Sequence, residues 1–184
     1  MSVRQVDTVT LRRVSAEDAE LVHAWRAEPA TRAHQPIAQL SLDDVRRMLR
    51  DRGASRVEPT ASGKLQWIVV AGVEPAGWIS LDVLSREHAT GAVGYTVASR
   101  MQGQGIGTAA LVALLPMAFG ATQLDLARLE GVAAVDNVGS RRVMERAGFR
   151  QEGLLRGLLE IDGVRVDHAL YGLLRTDWLA GRGS

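Results

Sequence analysis

The sequence predicts one α/β domain with seven strands and four helices. Apolar runs with strand character recur between clusters of turn residues, and helical stretches that begin at capping residues stand between several of these runs. The length of 184 residues, with 46% hydrophobic residues, suffices for one full core, so a second domain is not needed. We expect short flexible ends at about residues 1–7 and 179–184.

The first part of the chain predicts a strand followed by two helices. Residues 9–14 alternate weakly, as in an edge strand, and Ser15 with Asp18 three residues later makes a cap for a helix that ends at Ala27. Ser41 begins a second helix that has acidic residues in its first turn and arginines nearer its end. This order of charges matches the helix dipole.

The middle of the chain predicts three strands and a third helix. Residues 51–63 mix glycine, serine, proline and charge, which indicates a loop. Residues 65–71 and 76–84 then form a hairpin, and residues 90–98 form the next strand. After a glycine-rich segment, residues 108–118 are apolar and predict a helix.

The last part of the chain predicts one more strand, a helix and a closing hairpin. Residues 126–134 form the strand and residues 140–147 the helix. Residues 149–161 and 164–174 are two strands joined at Asp162-Gly163, a dipeptide typical of tight hairpin turns.

Charge and composition exclude several classes of function. Twenty-two basic and twenty-one acidic residues give a formal net charge of +1, without the basic excess typical of nucleic-acid binding. No apolar stretch is long enough to span a membrane, and the amino terminus lacks the apolar core of a signal peptide. Cysteine is absent, which excludes disulfides and thiol catalysis. We therefore expect a soluble, cytoplasmic protein with no nucleic-acid, membrane or metal partner.

The most informative segment is a glycine-rich run between a predicted strand and a predicted helix, Gln102-Gly103-Gln104-Gly105-Ile106-Gly107-Thr108. Alternate glycines allow the backbone to approach a ligand closely, and the N-terminus of the following helix presents unpaired N–H groups, so the segment predicts a phosphate site. A Walker loop is excluded because no lysine follows in the helix, and the dinucleotide fingerprint would need glycine at Thr108.

Two further segments carry recognisable patterns. The first runs from Asp136 to Phe149 and contains Asn137, Ser140 and the pair Gly148-Phe149. The second is the closing hairpin, with the elements Gly153-Leu154-Leu155-Arg156-Gly157, Ile161-Asp162-Gly163 and Asp167-His168-Ala169-Leu170-Tyr171-Gly172-Leu173-Leu174.

Together these segments resemble the GNAT superfamily of N-acetyltransferases. The glycine run fits its Q/R-x-x-G-x-G/A pyrophosphate loop, and the second segment is similar to its N-x-x-S-x-x-x-x-E-K-x-G-F pattern. The G-x-x-R, I-D-G and D-x-x-x-Y-x-x-L elements of the hairpin resemble the RimJ/RimL-type acetyltransferases, and the similarity covers about residues 8–178. This resemblance implies a mixed, mostly antiparallel sheet that is splayed at an acetyl-CoA site.

The resemblance also implies how acetyl-CoA, the cosubstrate, is bound. It would lie between the strand that ends at Val97 and the strand that begins at Leu126, with Thr96 and Val97 bonding the pantetheine amides. Asn137 would contact the pantetheine arm through its side-chain amide. The pyrophosphate would be bound by the glycine run, that is, by Gln102, Gly103, Gln104, Gly105, Ile106, Gly107 and Thr108.

Acetyl transfer to an amine needs an oxyanion donor, a proton for the departing thiolate and a neutral nitrogen, but no covalent intermediate. By resemblance, the Val97 N–H polarises the acetyl carbonyl and Ser140 gives the thiolate its proton, although this serine can also simply start a helix. Glu160 resembles the general base of the family, and Glu130 competes with it. A solvated surface role for both, with water as the base, remains open.

The acceptor is the least determined part of the prediction. In this fold the acceptor groove is formed by the first two helices, the loop of residues 28–40 and the last hairpin. That loop has no acidic cluster, which disfavours polyamines and aminoglycosides, although Glu28, Asp43 and Asp44 keep them open. A protein or peptide α-amino group is the family default. A small-molecule amine as acceptor and a non-catalytic acyl-CoA sensor are the alternatives. The resemblance also leaves a homodimer open, because relatives are often dimers.

Overall fold

The computed structural model describes residues 8–181. Of the predicted flexible ends, at about residues 1–7 and 179–184, residues 1–7 and 182–184 lie outside the described residues, whereas Leu179 and Ala180 belong to a helix. Its centre is one seven-stranded sheet with the strand order β1-β2-β3-β4-β5-β7-β6. The strands are β1 (Val9–Arg13), β2 (Gly63–Ala71), β3 (Glu74–Ser85), β4 (Thr90–Val97), β5 (Arg128–Ala134), β6 (Arg150–Ile161) and β7 (Val164–Leu174).

All neighbouring strands in the sheet are antiparallel except β4 and β5, which are parallel. The predicted α/β class with a mixed, mostly antiparallel sheet of seven strands is therefore confirmed. The closing hairpin turns at Asp162 and Gly163, whose φ angles of 49° and 80° are both left-handed, as a two-residue type I′ turn requires.

Six α-helices surround the sheet in the described part of the chain: α1 (Ala19–Ala27), α2 (Pro29–Arg32), α3 (Leu42–Ala54), α4 (Ile106–Phe119), α5 (Val138–Arg146) and α6 (Arg175–Ala180). The four predicted helices correspond to α1, α3, α4 and α5. The sequence analysis missed α2 and α6 because helices of four and six residues are too short to show helical periodicity. The first of them begins at Pro29, the position that proline favours.

The predicted starts of the first two helices are supported by capping contacts. The backbone N–H of Ser15 donates to Asp18 at 2.8 Å, in a 3₁₀ turn that leads into α1, and the backbone N–H of Asp44 donates to the Ser41 hydroxyl at 3.1 Å. The predicted loop of residues 51–63 was wrong at its beginning, because α3 continues to Ala54. Gly53 is a packing residue there, since an added Cβ would lie 2.3 Å from the Val14 carbonyl oxygen.

Both faces of the sheet are covered, and this arrangement positions the site. Trp67 packs with α4 in the larger core, whereas its neighbour Ile68 packs with α1 and α3 in the smaller core. Successive strand residues point to opposite faces, so α4 lies on one face and the α1–α3 pair on the other. Along residues 8–181 there is no helix whose length and apolar character would let it cross a membrane.

Candidate active site

The sheet opens between its two parallel strands. Pairing between β4 and β5 is limited to residues 90–92 against residues 128–130. Beyond that point β4 continues to Val97 and β5 to Ala134 without pairing to each other. The separated parts of the two strands, residues 93–97 and 131–134, define an open seam in the sheet.

The free edge of β4 directs backbone polar groups into this seam. The N–H of Ala98 donates to the Ala76 carbonyl, so the backbone groups of Ala98 and of every second residue before it face β3. The backbone groups of Tyr95 and Val97 therefore face β5. Two glutamine side chains donate hydrogen bonds to backbone carbonyl groups on this edge. Gln35 donates to Tyr95 O at 3.3 Å and Gln102 donates to Val97 O at 3.0 Å. Gln102 thus ties the glycine-rich loop to the strand before it.

The glycine-rich loop leads directly into α4. Gly103 and Gly105 have φ angles of +74° and +81°, a left-handed conformation that favours glycine. Gly105 is the N-cap of α4 and has no side chain to pair the first N–H groups, and the first helical bond runs from Ala109 N to Gly105 O at 3.0 Å. The N–H groups of residues 106–108 therefore precede the helical ladder and are oriented toward the loop, as in an anion site.

Helix α5 closes the other side of the loop. Gly107 allows α4 and α5 to approach closely, because an added Cβ would lie 3.2 Å from a methyl group of Val143. Asn137 caps α5, and its side-chain oxygen accepts from the Ser140 N–H at 3.0 Å. The asparagine oxygen is thus engaged within the protein, and its NH₂ group is the part that remains for a ligand.

A cavity of about 550 Å³ joins the loop to the open seam. It is lined by most of the residues that the sequence analysis assigned to cofactor binding and by one assigned to catalysis: Thr96, Val97, Gln102, Gly103, Gly105, Ile106, Gly107, Thr108, Asn137 and Ser140. Gln104 does not line it, and its side chain donates to Arg100 O at 3.4 Å.

Several further residues line this cavity that the sequence analysis did not assign, and three of them offer polar groups to a ligand. Arg142 and Arg146 of α5 bring positive charge to it. Thr31 of α2 is only 4% exposed, and its hydroxyl has no hydrogen-bond partner in the described part of the chain. Such a buried, unpaired hydroxyl in a cavity wall is a ready contact for a ligand.

Tyr95 connects the seam to Ser140. Its hydroxyl lies 2.9 Å from the Ser140 hydroxyl and donates to the Ser140 carbonyl oxygen at 3.0 Å. Burial raises the pKa of Tyr95 to about 12, so the hydroxyl keeps its proton over the physiological range. No sequence pattern predicts this contact, because the two residues are 45 positions apart.

A second cavity, of about 310 Å³, lies beside the first. The two cavities share five lining residues, one of which, Tyr95, belongs to the seam: His34, Gln35, Tyr95, Asn137 and Ser140. Other parts of the second cavity come from α1, from the loop after α2 and from the closing hairpin. A group bound in one cavity can therefore meet a group bound in the other beside Tyr95 and Ser140.

Neither of the two carboxylates predicted as the general base lines either cavity. Glu160 is on β6 with a side chain that is 56% exposed and 3.5 Å from Arg165. Glu130 is on β5 at the last position paired with β4, and it lies 3.7 Å from Arg128. By contrast, His168 of β7 lines the second cavity and is 2% exposed, and its Nδ1 donates to Val166 O at 2.9 Å.

The comparisons with known proteins identify the family. The model of the acetyltransferase (GNAT) domain matches residues 8–150. The chain belongs to the GNAT acetyltransferase family. The predicted resemblance to this family, including its RimJ-type members, is confirmed, and an acetyltransferase is the enzyme class that the match supports.

Three relatives illustrate the range of this GNAT family. YdaF of Bacillus subtilis (strain 168), whose name gives ribosomal N-acetyltransferase as its proposed role, is 40% identical over 102 residues, which is 55% of each protein. RimJ of Mycobacterium smegmatis, solved in complex with CoA-disulfide, is 27% identical with a TM-score of 0.73, covering 95% of this chain and 89% of its own.

The third relative is a spermidine N-acetyltransferase from Vibrio cholerae, solved with CoA and spermine. It reaches a TM-score of 0.81 over 94% of this chain and 98% of its own, at 19% identity. At that identity the likeness shows the GNAT fold alone. Because the alignment with YdaF spans about half of its length, the acceptor of the present GNAT domain has to be argued from its own site.

Proposed function

We propose that this protein transfers the acetyl group of acetyl-CoA directly to a primary amine, a peptide α-amino group, in a ternary complex. The observation that carries the proposal is the junction of the two cavities at the open seam. One cavity ends at the glycine-rich loop, which we assign to the pyrophosphate, and the other, which we assign to the acceptor, reaches α1 and the closing hairpin. Both reach Tyr95 and Ser140, so a thioester and an amine can meet there without a covalent enzyme intermediate.

The residues of the first cavity fit the coenzyme chemically. The N–H groups of residues 106–108 at the start of α4 would bind the pyrophosphate, with Arg142 and Arg146 adding positive charge. The edge of β4 at Val97 and the amide of Asn137 would hydrogen-bond the pantetheine arm. A long, flexible ligand with phosphates at one end and amides along its length matches this order of groups.

The chemistry at the seam follows from the groups present there. The amine nitrogen attacks the thioester carbonyl, the Val97 N–H stabilises the resulting oxyanion, and the carbon–sulfur bond then breaks. The thiolate takes its proton from the Ser140 hydroxyl, which lies 2.9 Å from the Tyr95 hydroxyl. Because Tyr95 stays protonated, it can pass a proton back to Ser140 or hold that side chain toward the sulfur.

The amine must also lose a proton. Glu160 and Glu130 remain our candidates for the group that accepts it, and since neither lines a cavity wall, water would carry the proton to them. His168 is a further candidate for the base, because it lines the acceptor cavity and its Nδ1 already donates a hydrogen bond to Val166 O. That hydrogen bond leaves Nε2 as the nitrogen with a free lone pair in the neutral ring.

Release of free thiol from acetyl-CoA tests the proposed activity. The purified protein is incubated with acetyl-CoA and, in parallel, with peptides, amino acids, polyamines or aminoglycosides, and acetylated products are identified by intact mass. We expect turnover with peptide amines and a single added acetyl group at the α-nitrogen. Tight acetyl-CoA binding without turnover on any amine would contradict the enzymatic role and favour an acyl-CoA sensor.

A further inference from the structure

The second cavity has a one-sided charge distribution. Three basic side chains line it, Arg26 of α1, Arg52 of α3 and Lys64 of β2. Its wall contains no aspartate or glutamate from residues 8–181. Lined in this way, the cavity is an electrostatic site for an anion rather than for a polycation.

The two arginines are not neutralised inside the protein. Arg26 donates to the Ala38 carbonyl at 2.9 Å and Arg52 donates to the side-chain oxygen of Gln66 at 2.5 Å, and both acceptors are neutral. Neither arginine has an ion-pair partner among the residues that the structure describes.

The surroundings of Arg26 and Arg52 lower the pKa of both guanidinium groups. Burial lowers the pKa of both guanidinium groups, and the positive charge of Arg26 lowers that of Arg52 further. Asp82 acts on Arg52 in the opposite direction, but this carboxylate is also 3.6 Å from Lys64. Two half-buried positive charges that line one cavity and repel each other favour the binding of an anion there.

The acidic residues that could have attracted a polycation are engaged elsewhere. Glu28 accepts from the backbone N–H and the hydroxyl of Ser99, at 2.8 and 2.7 Å. Asp43 pairs with Arg46 at 2.6 Å, and Asp44 accepts from the Ser41 hydroxyl at 2.6 Å. These carboxylates therefore stabilise the end of β4 and the start of α3, and they do not line the cavity.

The sheet register gives the spacing between the strand at the seam and the strand whose Gln66 contacts Arg52. Gly94 of β4 pairs with Ser80 of β3, and Ser80 pairs with Gln66 of β2, whose side chain contacts Arg52. Two strand spacings separate Gly94 from Gln66, which is about 10 Å. A spacing of this size exceeds the distance between the ammonium and carboxylate groups of one amino acid. A side chain two or three residues along an extended peptide reaches that far.

We propose that the acceptor is a peptide whose second or third residue carries a carboxylate, and that Arg26 and Arg52 bind this carboxylate. The proposal deepens the function proposed above and rests on it for turnover. It assigns the two arginines to acceptor specificity and leaves the chemistry to the groups at the seam.

Two matched hexapeptides test the proposal. One has aspartate and glutamate at its second and third positions, and the other has asparagine and glutamine there. We expect the wild-type protein to prefer the acidic peptide, with a KM that rises as ionic strength screens the contact. Arg26→Gln and Arg52→Gln should each raise that KM roughly 10- to 100-fold, while the KM for acetyl-CoA stays unchanged.

Controls separate this role from a structural one. Arg50→Gln removes an exposed arginine from the same helix and should leave peptide preference unchanged. Arg52→Lys keeps the charge and should restore part of the preference, even if Arg52→Gln proves unstable through the lost Gln66 contact. Equal kcat/KM for the two peptides in the wild-type protein, or a preference that survives both glutamine variants, would overturn the proposal.

Binding of the same peptides distinguishes this proposal from the enzymatic one. If no peptide is acetylated, the affinity of the CoA-bound protein for each hexapeptide is measured by calorimetry. Tighter binding of the acidic peptide, lost in Arg26→Gln, would support the anion site although the proposed activity had failed. Equal affinity for both peptides would overturn the anion site.

Discussion

Substituting the N-cap glycine of α4 by aspartate tests the phosphate site at its most sensitive point. Gly105 is exposed and left-handed, and it immediately precedes the N–H groups that we assign to the pyrophosphate. We expect Gly105→Asp to weaken CoA binding strongly because it places a carboxylate beside two phosphates. Gly105→Asn is the matched control, since asparagine has the same shape, tolerates the left-handed conformation and carries no charge.

The expected size of the effect follows from Coulomb's law. A carboxylate about 5 Å from a phosphate repels it by about 0.8 kcal/mol in bulk water and about 3 kcal/mol at an effective dielectric constant of 20. Two phosphates double these values. For a loop that is exposed on one side, a loss of about 3 kcal/mol relative to Gly105→Asn is expected, which is more than 100-fold in Kd.

Isothermal titration calorimetry with CoA measures this difference directly. The loss in Gly105→Asp should shrink as salt is raised, because the repulsion is screened. Gly163→Asp introduces the same side chain at a similar φ of +80°, in the distant hairpin turn, and should bind CoA normally. Equal CoA affinity for Gly105→Asp and Gly105→Asn, in folded protein, would refute the assignment of the loop to the pyrophosphate.

Four further predictions concern the proposed chemistry and the strands around the seam. Ser140→Ala should lower kcat roughly 100-fold with little change in CoA affinity, and Tyr95→Phe should lower kcat as well. Wild-type kcat in these variants would contradict the proposed transfer of a proton from Ser140 and Tyr95 to the thiolate. Burial raises the pKa of Tyr95 to about 12, so its contribution to the free energy of unfolding is complete below pH 10 and is lost between pH 10 and 12. In urea unfolding, the free energy of unfolding of the wild type should therefore fall by about 2 kcal/mol more than that of Tyr95→Phe over this interval. Glu160→Gln and Glu130→Gln should leave CoA binding intact, and the one that reduces turnover across the pH–rate profile identifies the base; full activity in both would exclude them. Gly77→Ala should destabilise the fold by about 3 kcal/mol and weaken CoA binding, because its Cβ would lie 2.0 Å from the carbonyl oxygen of residue 96 on β4. Unchanged thermal unfolding would argue against that contact.

The backbone geometry of the glycine-rich loop was predictable because it depends on local chemistry. Glycines at Gly103 and Gly105 are needed for left-handed backbone, and the helix that follows is apolar enough to be recognised from its sequence. The same reasoning located Ser15 and Ser41 as helix starts, where capping bonds are made within four residues.

The seam could be expected only through the family resemblance. Strand pairing between β4 and β5 stops after Ala92 and Glu130, and no local signal in either strand marks that point. The contact between Tyr95 and Ser140 and the convergence of Arg26 with Arg52 likewise join distant parts of the chain. Such contacts depend on tertiary packing, which a periodicity argument does not describe.

The most direct test of this account is a crystal structure of the protein with CoA bound. The account predicts pyrophosphate oxygens within hydrogen-bond distance of the N–H groups of residues 106–108, and a pantetheine arm between β4 and β5 whose sulfur lies near Ser140. Coenzyme bound elsewhere, or a seam in which residues 93–97 pair directly with residues 131–134, would contradict it.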